Sequence, residues 1–446
     1  MQRQGATPKG LERRVRDLRL EKVGDPRDAK KVTYPLLTVL TALVVGMATC
    51  ARSLRKVEER TGQVVEKQVR WMGLDQRIAD NTFGKVLPRL QVGDLVACLH
   101  GMVKAEHRRG NLKPTVLPVG TVAIDGKNVA TLRWHDLCRV LEVEPDEATP
   151  EHVKELLAQR YTDVQFCVPE HGQPYALARV HTVTLISSDA AVCIHQRSTL
   201  GHTNEIGSMP ELLEEVHTGY GRTALITMVT TDAGNTSLKV AGLIVGHGWD
   251  YFLQIKSGQG ELDTEAVRAL GSKSEQAADF CQSDTQNGKV VTYHLWQHDL
   301  SEQGWLSWTH ARQVVRVQRV AEDPTTGQKT IGQRFYVCNK TPAQLRAKGG
   351  LKISRAHWRC ENETHWTADA EEQEDRRRLA WSRHPNGVFV VSVLRRIAVN
   401  ILAVARRLSR LGYSLETPTW QQVAEHFLLV LCGSILQTDA FDAQID

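Results

Sequence analysis

The chain has 446 residues, a formal net charge of +5, 41% hydrophobic and 24% charged residues, which describes a globular protein of two or three structural units and excludes a disordered, collagenous or repeat architecture. Its nine cysteines (50, 98, 138, 167, 193, 281, 338, 360 and 432) are scattered and odd in number, and none forms a Cys-x-x-Cys pair. That pattern argues against a disulfide framework or a zinc finger and for a reducing, cytoplasmic setting. The charge excess lies at the start: residues 1–31 hold ten Lys/Arg against five Asp/Glu, and the rest is balanced. Such an arm suits a polyanion through counterion release, or is a solvated tail.

In chain order, residues 32–114 read as a helical N-terminal domain. Val32–Ala51 is twenty residues without a charge, long enough to span a bilayer. Its threonines, its Pro35 and Gly46, and the basic residues on both sides make a buried helix with Pro35 in the first turn the better reading, so no membrane association is expected. Asp80-Asn81-Thr82-Phe83 reads as a helix start capped by Asp80 or Asn81. Residues 115–260 alternate strand and helix: Val119–Ile124 ending at Asp125-Gly126, Arg179–Ser187, a helix at Pro210–Val216, a strand Ala224–Thr230 leading to Asp232, a helix at Leu238–Gly246 and a strand at Tyr251–Ile255. This implies an α/β layer with a partly parallel sheet. Residues 261–350 read as a β-rich insertion, with amphipathic strands at Val290–His298, Gln313–Val320 and Gln333–Cys338. A helical pattern fills 351–411, broken at His384–Gly387, and 412–446 forms a tail.

The chemistry-bearing residues follow from these placements. Asp125 and Asp232 each end an apolar β run, where α/β sheets collect functional groups. Either is also readable as a turn residue or a helix cap. In Ala356–Asp369, His357, Trp358, Glu361, His365 and Asp369 fall at helical offsets of three or four, which gathers an acid, imidazoles and indoles. An aromatic packing seam is the competing reading. A single-metal site on His357, Glu361 and His365 lacks the Glu beside the first His that a zincin needs. Residues 361–375 hold seven acids and no Lys/Arg, and 376–411 hold nine arginines and no acid. That polarity suits cation-assisted phosphodiester chemistry, and equally suits two solvated faces or an internal ion-pair network.

Seven motifs in one order and spacing give the chain a family resemblance over about 36–402. Asp80–Leu90 (DNTFGKVLPRL) is similar to a "DTFGRVF" helix, and Ala123–Lys127 (AIDGK) to an identical acidic motif. Asn204–Ile206 with Pro210–Leu213 is similar to "NEI…PELL". Thr231-Asp232-Ala233 matches the second acid, and Tyr251–Gln259 (YFLQIKSGQ) resembles "YVLALKGNQ". His357-Trp358, Glu361-Asn362, His365-Trp366, Asp369 and Glu374-Asp375 follow "HWGIENSLHWVLDVTFRED". The chain thus resembles the DDE insertion-sequence transposases of the H-repeat-associated type.

The resemblance implies an RNase-H-like mixed-sheet core with a β-rich insertion and a DNA-binding helical N-terminal domain. It implies Asp125, Asp232 and Glu361 as catalytic ligands of two Mg²⁺ or Mn²⁺ ions, with Lys256, Gln259, His357, Trp358 and His365 touching DNA. It also implies double-stranded DNA, as element ends and target, bound by a homodimer in the bacterial cytoplasm. One motif departs: the family's "HGRIETR" strand is matched only by Asn287–Tyr293 (NGKVVTY), without its His, Glu and final Arg. A transposase-derived DNA-binding protein that cleaves poorly is therefore the alternative function, and a stand-alone nuclease a third.

Overall fold

The computed structural model describes residues 8–201, 205–304, 306–308, 310–370, 374, 383–410 and 418–431. Ten strands form one mixed sheet: β1 Thr121–Arg133, β2 Val164–Cys167, β3 Tyr175–Leu185, β4 Val192–Ser198, β5 Met228–Thr231, β6 Asp250–Gln254, β7 Phe280–Gln286, β8 Lys289–Asp299, β9 Gln313–Glu322 and β10 Lys329–Cys338. Their order is β2-β3-β1-β5-β6-β10-β9-β8-β7, with β4 also on β3. Strand β3 runs antiparallel to both β4 and β1, while β1–β5 and β5–β6 are parallel. Three antiparallel strands followed by two parallel ones, in the spatial order 3-2-1-4-5, is the RNase-H-like arrangement. The helix Leu238–Gly246 makes the β5–β6 crossover, as a parallel pair requires.

The insertion adds β7–β10 to this sheet, because β10 pairs antiparallel with β6. It opens with the helix Gly260–Leu270 rather than with a strand. Residues 287–293 fall in the β7–β8 hairpin, where Asn287 and Gly288 take positive φ of 49° and 74°, the turn that Asn-Gly favours. The helix Ala347–His357 then crosses one face of the insertion, burying Leu351, Ile353 and Ala356 against Leu295, Val317 and Tyr336.

The N-terminal helices are not a separate unit. One hydrophobic core runs from Leu11 through the helices Leu36–Ala48 and Val92–Arg108 to the strands, the helix Pro385–Arg410 and Phe427. The helix Pro385–Arg410 packs on both N-terminal helices and on β4. Its stretch Pro385–Leu408 is long and apolar enough to cross a membrane, and its most apolar window is wholly buried inside the protein. Val32–Ala51 supplies the buried helix Leu36–Ala48 with Pro35 at its cap.

Four expectations need correction. The basic arm 1–31 is, where described, a packed segment: in the helix Pro8–Asp17, Leu11 is fully buried and Arg14 pairs with Glu106 at 3.2 Å. Part of its charge is thus spent inside the protein. The tail 412–446 contains the helix Trp420–Leu431, whose Val423, Ala424 and Phe427 are buried. Asp125-Gly126 is no turn, since β1 runs on to Arg133 in register with β3. The helix at Asp80 is preceded by Ala79, without a side-chain cap.

Candidate functional site

The sheet register sets the two aspartates side by side. Ile124 of β1 pairs in parallel with Thr231 of β5, so Asp125 and Asp232 each follow the same rung on adjacent strands, spaced about 4.8 Å apart. Asp232 leaves its strand into a tight turn. Its Oδ1 accepts from the Asn235 backbone N–H at 3.0 Å and the Asn235 side-chain amide at 2.9 Å. Ser237, not Asp232, caps the next helix. A Cβ on Gly234 would stand 3.2 Å from Asp232 Oδ2, so the glycine keeps that oxygen uncrowded.

Asp125 stays within β1, opposite Thr182 of β3. Its Oδ2 lies 3.3 Å from His365 Nδ1, and His365 Nε2 lies 2.8 Å from Thr182 Oγ1. With His365 neutral, the threonine hydroxyl donates to Nε2 and Nδ1–H donates to the carboxylate. Burial holds the His365 pKa below its ordinary value, as that neutral form requires. Burial pushes the Asp125 carboxyl up, but the His365 hydrogen bond and the nearby imidazoles bring it below the usual aspartate value.

Glu361 sits in a π-helical turn, Cys360–His365, between the helices Ala347–His357 and Trp366–Ala370. Turns of this kind recur at functional positions. Arg359 pins the segment to the end of β3, donating to the carbonyls of Ile186 at 2.5 Å, Ser188 at 2.7 Å and Asp189 at 2.9 Å. The glutamate itself is exposed while His357 and His365 are buried beneath the chain. The Glu361 carboxyl is raised by burial and then by the negative fields of Asp125 and Asp232, with Arg334 opposing. All three acids therefore share one field.

Other predicted residues take different positions. His357 is 4% exposed, its pKa is lowered by burial, and Asp125 and Asp232 both act on it. Its Nδ1 finds no hydrogen-bond partner among the described residues. Trp358 is half-buried under the Arg334 guanidinium, 4.4 Å from the ring centre. Gln259 links two loops: its Oε1 accepts from the Lys256 backbone N–H at 2.9 Å and its amide donates to the Thr236 carbonyl at 2.9 Å. The side chain of Lys256 is exposed. Asn204 lies outside the described residues.

Behind the acids is a buried charge network that spacing did not reveal. Lys127, two residues past Asp125, reaches Asp369 at 2.5 Å, the His365 carbonyl at 3.1 Å and Glu374 at 3.2 Å. Glu374 also meets Arg396 at 2.7 Å and Arg395 at 3.7 Å. Burial pushes the Glu374 carboxyl up, but Arg396, Lys127 and Arg395 pull it down to about 2. The arginine run thus turns inward at 395 and 396, as an ion-pair network. Residues 376–378 lie outside the described set. His181 is a second missed neighbour: it bonds Ser208 at 2.9 Å, and burial lowers its pKa to about 4 against the fields of Asp125 and Asp232. Neither Lys127 nor His181 follows an apolar run to its end, so no strand-end signal marked them.

Among the described residues no group of three or more His, Cys, Asp or Glu side chains is arranged to hold a metal ion. The donors present are carboxylate oxygens, the set that hard divalent cations select.

Comparison with known proteins bears on the family of the chain. The family model described as "Transposase DDE domain" matches residues 169–400, which includes Asp232 and Glu361 and starts after Asp125. Over 232 residues the chain is 25% identical to "Putative transposase YncI" of Escherichia coli O157:H7, covering 50% of this chain and 56% of that protein. Over 234 residues it is 26% identical to "H repeat-associated putative transposase YhhI" of Escherichia coli (strain K12), covering 50% and 58%. The matches thus span little more than half the length of these relatives. A piggyBac transposase synaptic complex with hairpin DNA aligns over 98% of this chain at 10% identity and a TM-score of 0.39, too loose a likeness to define a shared fold. With just over half of its residues inside the family model, the chain belongs to the DDE-domain transposases.

Proposed function

We propose that the protein is a DNA transposase that cleaves insertion-sequence ends and transfers the freed strand through Asp125, Asp232 and Glu361. The observation that carries this reading is the placement of Asp125 and Asp232 directly after the same rung of adjacent parallel strands, with Glu361 within reach of both negative fields. Three acids so placed repel one another and gain most from divalent cations. Two Mg²⁺ or Mn²⁺ ions held there would activate the attacking oxygen and stabilise the leaving one.

The chain's own residues prepare that site. Asn235 orients Asp232, leaving Oδ2 for a ligand. Thr182 fixes the His365 tautomer and so keeps Asp125 ionised. His365 and His357 act beneath the carboxylates as positioning residues, which revises their expected contact with DNA. Lys256 and Trp358 remain on the DNA side, and Gln259 shapes the loop that carries Lys256. Double-stranded DNA is the partner, and joining two ends calls for a homodimer.

The test is cleavage of a labelled duplex carrying the element end, with Mg²⁺ or Mn²⁺, beside Asp232→Asn. End-specific cleavage lost in the variant supports the reading. Binding without cleavage under either metal supports instead a transposase-derived DNA-binding protein, and nicking anywhere along the duplex supports a general nuclease.

A further inference from the structure

The outer face of the insertion sheet carries charge that the cleavage site does not use. Strand alternation puts Arg334 and Gly332 of β10 on the face that bears the helix Ala347–His357. Arg319 of β9 lies opposite Gly332, and Tyr293 of β8 lies opposite Arg319. Both Arg334 and Arg319 are exposed. Nothing lies within 4 Å of a Cβ built on Gly332, so the sheet surface beside Arg319 is open there. The nearby Arg355 is engaged, bridging Asp284 at 2.8 Å and covering the Tyr293 ring.

Arg334 is held in place. Trp358 lies under its plane, 4.4 Å from the guanidinium to the ring centre. Stacking restrains the guanidinium while leaving its planar fork of N–H donors for a ligand, the geometry that binds phosphate. Its charge reaches Glu361 and His357, so it stands at the margin of the triad. As diagonal neighbours on the sheet, Arg334 and Arg319 are roughly 7–8 Å apart at the backbone, within reach of neighbouring phosphates of one strand.

We infer that this face is a DNA-backbone track: Arg334 and Arg319 bind successive phosphates of the strand that flanks the cleaved position. The location of the cleaved position rests on the proposed triad; the phosphate contacts do not. Each contact releases condensed counterions, so each arginine adds to the salt dependence of binding.

The experiment measures binding of a fluorescein-labelled duplex by anisotropy across a salt series, using the full chain in an Asp232→Asn background that keeps the DNA intact. Arg334→Ala and Arg319→Ala should each flatten the slope of log affinity against log salt by about 0.9, and the double variant by about 1.8. Arg334→Lys should keep the slope and bind more weakly, since lysine retains the charge but not the stacked fork. Arg139→Ala, at an exposed position of the helix Trp134–Leu141, should leave the slope unchanged. Unaltered slopes in folded Arg334→Ala and double variants overturn the inference and leave Arg334 as a counter-charge to Glu361 alone. Shifted slopes in a protein whose wild type never cleaves would retain the track and reject the catalytic reading.

Discussion

The arginines at 395 and 396 and those at 334 and 319 are the same residue type put to opposite uses. Arg396 is 1% exposed and bonded to Glu374, itself reached by Lys127 from the catalytic strand. Arg334 and Arg319 stand on an open sheet face beside the triad. In the sequence the first pair belongs to a conspicuous basic block and the second pair is scattered among strand residues. Burial, not local charge density, decides which arginines clamp the protein and which are free to meet a phosphate.

The comparison predicts its largest stability effect in the buried network. Glu374→Gln leaves Lys127, Arg395 and Arg396 without their shared anion, and should cost about 3–5 kcal/mol of unfolding free energy in denaturant titrations. Arg319→Ala, by contrast, should stay within about 0.5 kcal/mol of the parent. Equal losses in the two variants would erase the distinction between clamp and track.

The network also sets an acid response. The folded Glu374 carboxyl is depressed to about 2 from an ordinary 4.5, so its contribution is fully present above pH 4.5 and is lost as pH falls toward 2. The shift corresponds to roughly 3 kcal/mol. Stability measured through that window should fall in the parent and fall less steeply in Glu374→Gln. A smaller effect is expected at Thr182: Thr182→Val removes the hydroxyl bonded to His365 and should cost about 1–2 kcal/mol. In imidazole NMR, the variant should lose the single ring tautomer that the parent holds; an unchanged tautomer would show that Thr182 does not position His365.

Much of the fold was legible. The helix Leu238–Gly246 matches its expected limits, and β6 and β8–β10 lie within a few residues of theirs, because regular apolar periods belong to buried, regular elements. The failures have physical causes. Asp125-Gly126 has the composition of a turn, yet pairing with β3 carries the strand through it. β4 escaped notice because much of its surroundings come from afar: Asn400 exchanges hydrogen bonds with the Cys193 backbone at 2.6 and 2.8 Å. Counting by 3.6 put His357, Glu361 and His365 on one face, but the π turn at Cys360–His365 separates an exposed acid from two buried imidazoles.

At the site, the strand ends pointed to Asp125 and Asp232, and the motif resemblance singled out Glu361. What linear patterning could not carry is the support around them. Lys127, the adjacent His181 and Thr182, and Glu374 come from three separate parts of the chain: Thr182 bonds His365, His181 lies in the fields of Asp125 and Asp232, and Lys127 and Glu374 pair behind them. Arg334 approaches from the insertion, where its neighbours in sequence are ordinary strand residues.

The most direct test of the central claim is calorimetric titration of Mn²⁺ into the full chain bound to duplex DNA, with Asp125→Asn, Asp232→Asn and Glu361→Gln in parallel. One shared carboxylate site predicts binding that each substitution weakens by about tenfold or more, roughly 1.4 kcal/mol, while the folded state is retained. Mn²⁺ binding that is indifferent to all three substitutions would contradict it.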